Sequence, residues 1–327
     1  MRELLKALIA LTISIVSLLI IINISNFEVS LSILTSLNPI FILISFFLQF
    51  SFWLFWALRL KIIARTLGCN LKYNYSLITT LSSMFFAAIT PSSAGGEPVR
   101  VKMVKDACGS YGIASAVVLI ERLLDAIFFA ISLPILVILA EFYVGLGFKI
   151  GGIFSLSLLA FIFILYTLLK NPSRVEKLII NTFNFFAIFS KSEEKIELLK
   201  EKTLKEAMNF RKAMIDVLNS KTNAFLMISL TVTMWILGFL IPSFILLAMH
   251  LPPYYLLSIT AQVIIVVVSL IPLTPGSSGI AEGTMAYLYS TFVPSTALGI
   301  LVTIWRMITY YTNLFFGFLV SLKLAKS

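Results

Sequence analysis

Thr90-Pro91-Ser92-Ser93-Ala94-Gly95-Gly96-Glu97 interrupts a hydrophobic chain, and Thr274-Pro275-Gly276-Ser277-Ser278-Gly279-Ile280-Ala281-Glu282-Gly283 repeats the pattern near the other end. The echo extends beyond the two loops. Thirty-two residues after each threonine an arginine stands inside a long apolar segment, Arg122 in the first copy and Arg306 in the second. Pro and Gly strip a helix of hydrogen bonds that lipid cannot replace, so such breaks must be buried in protein or line a wet cavity. A duplicated broken helix with a buried charge is the pattern of a membrane transport site.

The surrounding composition fixes the solvent. Apolar residues make up 59% of the 327, charged residues 12%, and the mean hydropathy is +1.01, outside the range of a water-soluble domain. Apolar segments fall near 7–24, 40–58, 76–90, 113–140, 150–169, 223–249, 254–273, 276–293 and 295–322, several of them near the ~20 residues that cross a bilayer core. The expected fold class is all-α, a polytopic integral membrane protein. Arg2 and Lys6 precede the apolar run from Ala7 to Ile22, but no Ala-x-Ala-like site follows, so the run reads as a retained span rather than a signal peptide.

The net charge of +10 is no argument for nucleic acid here, because excess Lys and Arg in a membrane protein marks loops kept in the cytoplasm. Arg59, Lys61, Arg65 and Lys72 crowd one connection, while that from Ser25 to Pro39 carries only Glu28. Both termini are therefore expected on the cytoplasmic side of the cell membrane. Arg100, Lys102 and Lys105 return the chain to that side, so the segment around Pro91 reads as a re-entrant hairpin; full crossing is the alternative. The segment around Pro275 then enters from the opposite face. About six full spans and two opposed broken pairs result, arranged as units 40–140 and 223–323 of an inverted-topology repeat within one membrane domain, 1–327. Such repeats let a transporter expose a central site to each face in turn.

Between the units, 170–221 reads as a cytoplasmic amphipathic linker. Leu204, Met208, Ile215 and Leu218 give it an apolar stripe at helical spacing, as expected of a solvated helix at the headgroup layer. Cys69 and Cys108 suggest no disulfide framework and read as incidental. His250 belongs to a loop. No cofactor, metal cluster or catalytic triad is expected.

Arg122 lies nine residues into its segment, about 13 Å deep at the helical rise. An arginine at that depth costs at least about 2.5 kcal/mol unless it meets a partner or water. Asp125, at i+3, is placed to pair with Arg122, and Glu121 stands beside it; both acids are read as charge-balancing or ion-coupling groups. Trp305 replaces the acid next to Arg306, which is expected to find Glu97 or Glu282, making at least one pair across the repeats. A half-helix beginning after each break points free N–H groups toward the midplane, an anion-binding geometry. Ser92, Ser93, Ser277 and Ser278 would add donors, and Gly95, Gly96, Gly276 and Gly279 would let a phosphate approach closely. With Arg122, Arg306, Glu97 and Glu282 these form the expected substrate-binding set.

Pro91-Ser92-Ser93-Ala94-Gly95-Gly96-Glu97-Pro98-Val99-Arg100, Glu121-Arg122-Leu123-Leu124-Asp125 and Pro275 to Gly283 resemble the lysylphosphatidylglycerol synthase transmembrane-region family. This is the flippase part of the multiple peptide resistance factor proteins and their stand-alone relatives. The resemblance implies translocation of an aminoacylated or other anionic phospholipid, or of a polyprenyl-linked sugar, across the membrane. The synthase domain of that family has no counterpart here, so a translocator without a synthase is expected. Its partners would be the lipid, a separate lipid-modifying enzyme and, in an oligomer, further copies of itself. The rival reading, a membrane-embedded transferase acting on a lipid-linked substrate, rests on Glu121 and Asp125. A third, a scaffold, makes the buried charges purely structural.

Overall fold

A computed structural model describes residues 34–90, 95–187, 193–271, 274 and 276–326, which are helical with no strand among them. The expected first span at 7–24 lies outside the described residues. Five described helices are long and apolar enough to cross a membrane, as expected of an all-α polytopic membrane protein.

The first unit runs α1 (Pro39–Thr66), α2 (Tyr73–Ala88), α3 (Gly96–Cys108) and α4 (Tyr111–Leu139). Then come α5 (Val144–Lys170), α6 (Pro172–Ala187) and α7 (Glu193–Asn219). The second unit repeats the long-short-short-long order with α8 (Lys221–Ala248), α9 (Tyr255–Ser269), α10 (Ile280–Tyr289) and α11 (Ser295–Arg306), which continues through a π-helical turn, Met307–Tyr311, into α12 (Thr312–Lys326). Local chemistry sets the ends of the spans. Asn38 caps α1, its side chain accepting from the Ile40 N–H at 3.0 Å ahead of Pro39 in the first turn, where proline is well suited.

Each short pair is a hairpin. Tyr75, near the start of α2, donates its hydroxyl to the Met103 carbonyl near the end of α3, while Gly95 at the start of α3 donates to the Thr90 hydroxyl. In the second unit Tyr289, at the end of α10, reaches back to the Ser258 carbonyl near the start of α9. With 16 and 15 residues, α2 and α9 extend only about 22–24 Å, short of the roughly 30 Å hydrocarbon core. Neither hairpin crosses; each returns to the end it left.

The hairpins open at opposite ends because α1 and α8 run antiparallel. The Asn38 N–H, before α1, meets the Ala248 carbonyl at the end of α8, and Arg59 further along α1 meets Thr231 near the start of α8. Packing follows the same exchange: α2 lies on α12 and α9 on α4, the first short helix of each unit on the last span of the other. A large apolar core, including Leu133, Ile245, Ile264 and Leu301, joins the second unit to α4.

Three expectations change. Arg59 and Arg100, counted from the sequence as loop charges, are buried; α1 continues past Arg59 to Thr66, and acids on α4 receive both guanidiniums. Lys61, Arg65, Lys72, Lys102 and Lys105 still crowd that end. Cys69 and Cys108 are not incidental: they form a disulfide across a sequence separation of 39, with Cα atoms 5.4 Å apart. The hairpin brings the end of α3 back beside the end of α1, a proximity that linear spacing hides. The linker, finally, is a strut on one face while the other stays exposed. Ala213 and Met214 of α7 are buried against Leu60, Ile63 and Val117, and Glu206 accepts from the Gly112 N–H at 2.8 Å, holding the start of α4.

Candidate functional site at the meeting of the two breaks

The tips of the opposed hairpins touch. The Gly276 N–H donates to the Thr90 carbonyl at 3.0 Å, and the Tyr310 hydroxyl, in the π-helical turn, donates to the Ala88 carbonyl at 3.0 Å. Only glycine fits at position 276, where φ is +56° and an added Cβ would lie 2.5 Å from the Ala88 carbonyl oxygen. Thr90 repairs its own break. Its hydroxyl donates to the Phe86 carbonyl at 2.7 Å and accepts from the Gly95 N–H at 2.8 Å, partnering groups that a helix end leaves free. In the second unit Ser277 takes a similar role, its hydroxyl donating to the Ser269 carbonyl at 2.7 Å.

Beside the first break lies a network of three guanidiniums and three carboxylates. Arg59, fully buried, donates to both oxygens of Asp125 at 2.6 and 3.3 Å and to Thr231 of the second unit at 3.0 Å. Asp125 also accepts from the Trp235 indole at 2.8 Å. Glu121, equally buried, accepts from Arg100 at 3.2 Å and from Trp56 at 3.0 Å, and Arg100 continues to Ser83 at 2.6 Å. Trp56 presents its ring to the guanidiniums of Arg100, Arg122 and Arg59 at 4.6, 5.3 and 6.0 Å, within or at the limit of cation–π reach. Asp125 and Glu121 are thus each paired with a buried guanidinium and an indole, and residues of both units supply the partners.

Arg122 is held more loosely. Its Nε lies 3.5 Å from Glu97 Oε1 and its Nη1 3.4 Å from Asp125 Oδ2, with the Arg122 and Glu97 side chains 37% and 36% exposed. Its Nε and Nη2 and the second Glu97 oxygen are buried without a hydrogen-bond partner among the described residues, which is costly unless water or a ligand supplies one. Among the described residues no side chain caps the start of α3.

The equivalent pair in the second unit is closed. Arg306 donates to Glu282 at 2.7 Å, with side chains 6% and 0% exposed. Glu282 also accepts from the Gly279 N–H at 2.7 Å, so a carboxylate of the protein already occupies the start of α10. Trp305 and Tyr310 flank the guanidinium at 5.1 and 4.9 Å. Each arginine thus meets the acid of its own hairpin, where the sequence had suggested a pair across the repeats; the units are joined through Arg59–Thr231, Asp125–Trp235 and Thr90–Gly276 instead.

Of the remaining expected residues, Ser278 is fully buried, and Ser92 and Ser93 lie outside the described residues. Gly96 accommodates the backbone of α2, because its Cβ would lie 2.7 Å from the Ser83 carbonyl oxygen. In this conformation Gly96 and Gly276 bring helices together rather than leave space for phosphate. Sequence reasoning missed Arg59, Arg100, Trp56, Trp235 and Tyr310. The available signal was Arg59 among apolar residues seven positions before the end of a helix.

The family described as lysylphosphatidylglycerol synthase TM region matches residues 7–317. A UPF0104 membrane protein of Archaeoglobus fulgidus is 45% identical over 311 residues, covering 95% of this chain and 94% of the relative. UPF0104 membrane proteins of Methanocaldococcus jannaschii and Pyrococcus horikoshii are 24% and 25% identical, the first covering 97% of this chain and 94% of its own length, the second 83% of each. With a match spanning nearly its whole length, the chain belongs to the lysylphosphatidylglycerol synthase TM-region family.

Proposed function

We propose that this protein moves a lipid bearing an anionic headgroup across the cell membrane, with the headgroup passing the meeting point of the two breaks while the acyl chains stay in the bilayer. The observation carrying this reading is the unequal state of two equivalent ion pairs, Arg122–Glu97 half-exposed and Arg306–Glu282 sealed. In a transporter built from opposed repeats, exchange of conformation between the units is alternating access. The second state then has Arg306–Glu282 open and Arg122–Glu97 closed.

Arg122 receives the headgroup in the conformation described. Displacement of Glu97 opens the buried N–H groups of Arg122 to a phosphate oxygen, and the start of α3 adds the favourable end of its dipole. Ser277 and Ser278 line the second break rather than bind in this state. Both termini and the α6–α7 linker are assigned to the cytoplasm, in keeping with the Lys and Arg at the linker end of the spans. A transferase reading is weaker, because Glu121 and Asp125 are consumed by Arg100, Arg59 and Trp235 and are not free to move a proton.

The test is reconstitution into liposomes carrying headgroup-labelled fluorescent phospholipids, with dithionite bleaching of the outer leaflet. Wild-type protein is expected to make the protected pool accessible, and Arg122→Ala to slow it about 10- to 100-fold, the loss of one charge-assisted hydrogen bond of about 1.5–3 kcal/mol. Protein-free rates across anionic, aminoacylated and zwitterionic headgroups would overturn the proposal, and an altered lipid product detected by mass spectrometry would favour the transferase.

A further inference from the structure

A cavity of about 330 Å³ lies away from the breaks, between the end of α5, α6 and α7. Leu165 and Leu168 of α5, Val175 and Ile179 of α6, and Leu204 and Met208 of α7 contribute to its wall, and its charged lining residues are Arg211 and Glu176. The sequence stripe of α7 explains its origin. Helix α7 seats Phe210, Ala213, Met214 and Val217 against the fold, which leaves Leu204 and Met208 to the cavity, Met208 64% exposed.

The surroundings select the occupant. The most apolar stretch of α5 contains no buried residue, so acyl chains of the bilayer reach its surface and, along Leu165 and Leu168, the cavity itself. In the stretches that supply the α6 and α7 walls, 170–179 and 204–212, Lys170, Arg174, Lys177, Lys205, Arg211 and Lys212 outnumber Glu176 and Glu206, and Glu206 is engaged with Ser110 and Gly112. Arg211 donates its Nε to the Leu169 carbonyl at 2.8 Å. That bond fixes the guanidinium at the end of the span, and its Nη groups have no protein acceptor among the described residues. An apolar chamber open to hydrocarbon with a basic collar at headgroup level is complementary to an anionic lipid.

We infer that one acyl chain of an anionic phospholipid occupies this cavity from the leaflet on the linker side, with its phosphate at Arg211. The site is separate from the proposed translocation site, and it joins α5 to the linker by a molecule of lipid. A flexible, polarisable Met208 suits an acyl chain of unfixed length.

The full-length protein carrying a photoreactive benzoylphenylalanine at Met208 tests this in nanodiscs of mixed phosphatidylglycerol and phosphatidylcholine. The same group at Phe163, on the bare face of α5, is the reference, and mass spectrometry identifies the captured lipid. Phosphatidylglycerol captured at Met208 is expected to exceed its share at Phe163 about fivefold, the factor that about 1 kcal/mol at one basic contact gives, and Arg211→Gln should remove the excess. Equal capture at the two positions would overturn the site, as would capture of protein, whether a second copy or another chain. Excess that persists in Arg211→Gln would overturn the assignment of the phosphate to Arg211. None of these readouts requires lipid translocation, so the result stands or falls apart from that reading.

Discussion

Replacing Asp125 by alanine isolates what the buried network contributes. Asp125 neutralises Arg59, which is completely buried and whose next carboxylate, Glu121, stands 3.6 Å away and already serves Arg100. Removing one partner of a buried pair costs about 3–5 kcal/mol, because the other charge is left without compensation. The folded population relative to the unfolded should fall by two to more than three orders of magnitude, at about 1.4 kcal/mol per factor of ten. The double variant Arg59→Met, Asp125→Ala removes both charges together, leaves Arg122 with Glu97 alone and leaves the Trp235 indole without an acceptor, the last a cost of about 1–3 kcal/mol. Steric-trap unfolding in bicelles measures each corner of the cycle. The double variant should be more stable than Asp125→Ala, with a coupling of at least about 2 kcal/mol between the positions. A coupling near the roughly 0.6 kcal/mol typical of polar contacts between membrane helices, or strict additivity, would refute the claim that Asp125 exists to hold Arg59.

Other outcomes follow from single features. Reducing the Cys69–Cys108 disulfide, or Cys69→Ser, should lower stability by about 4 kcal/mol on the loop-entropy account for a 39-residue separation, visible as a fall in melting temperature in detergent that wild type shows only with reductant. Gly276→Ala puts a Cβ against the Ala88 carbonyl at a left-handed position; a cost above about 1 kcal/mol and slowed lipid translocation are expected, with unchanged translocation arguing against contact of the breaks. Burial works against the Glu206 charge, but hydrogen bonds from Ser110, Gly112 and Asn209 outweigh it and hold its carboxyl below the ordinary 4.5. Since the folded value is depressed, this stabilisation is complete above the unfolded value and is lost as pH falls below about 4.5 through the folded value. Glu206→Gln should flatten that acid limb of a melting-temperature profile.

Much of this architecture is written into local chemistry. The hydropathy runs locate the long helices, because lipid demands unbroken apolar length, and the two Thr-Pro stretches mark where α2 and α9 end. Arg306–Glu282 was within reach of the sequence because Arg306 recurs at the same distance from its break as Arg122, and Glu282 follows its break closely as Glu97 does. The roles of Arg59 and Arg100 were not, since a guanidinium near the end of an apolar run looks the same whether it meets water or a buried acid 66 residues away on α4. The disulfide and the strut at Ala213 and Met214 were hidden for a related reason. Both depend on the folding back of the hairpin and linker, which no local pattern specifies.

The most direct measurement is sided accessibility of the two breaks in reconstituted protein. Thr90→Cys and Thr274→Cys, each on a Cys69→Ser, Cys108→Ser background, are exposed to a membrane-impermeant thiol reagent added to one face at a time. Two opposed hairpins whose tips share one alternating site predict that each face supplies a route to the pair, and that anionic lipid slows the reaction. Reaction of both positions from one face alone would contradict the account.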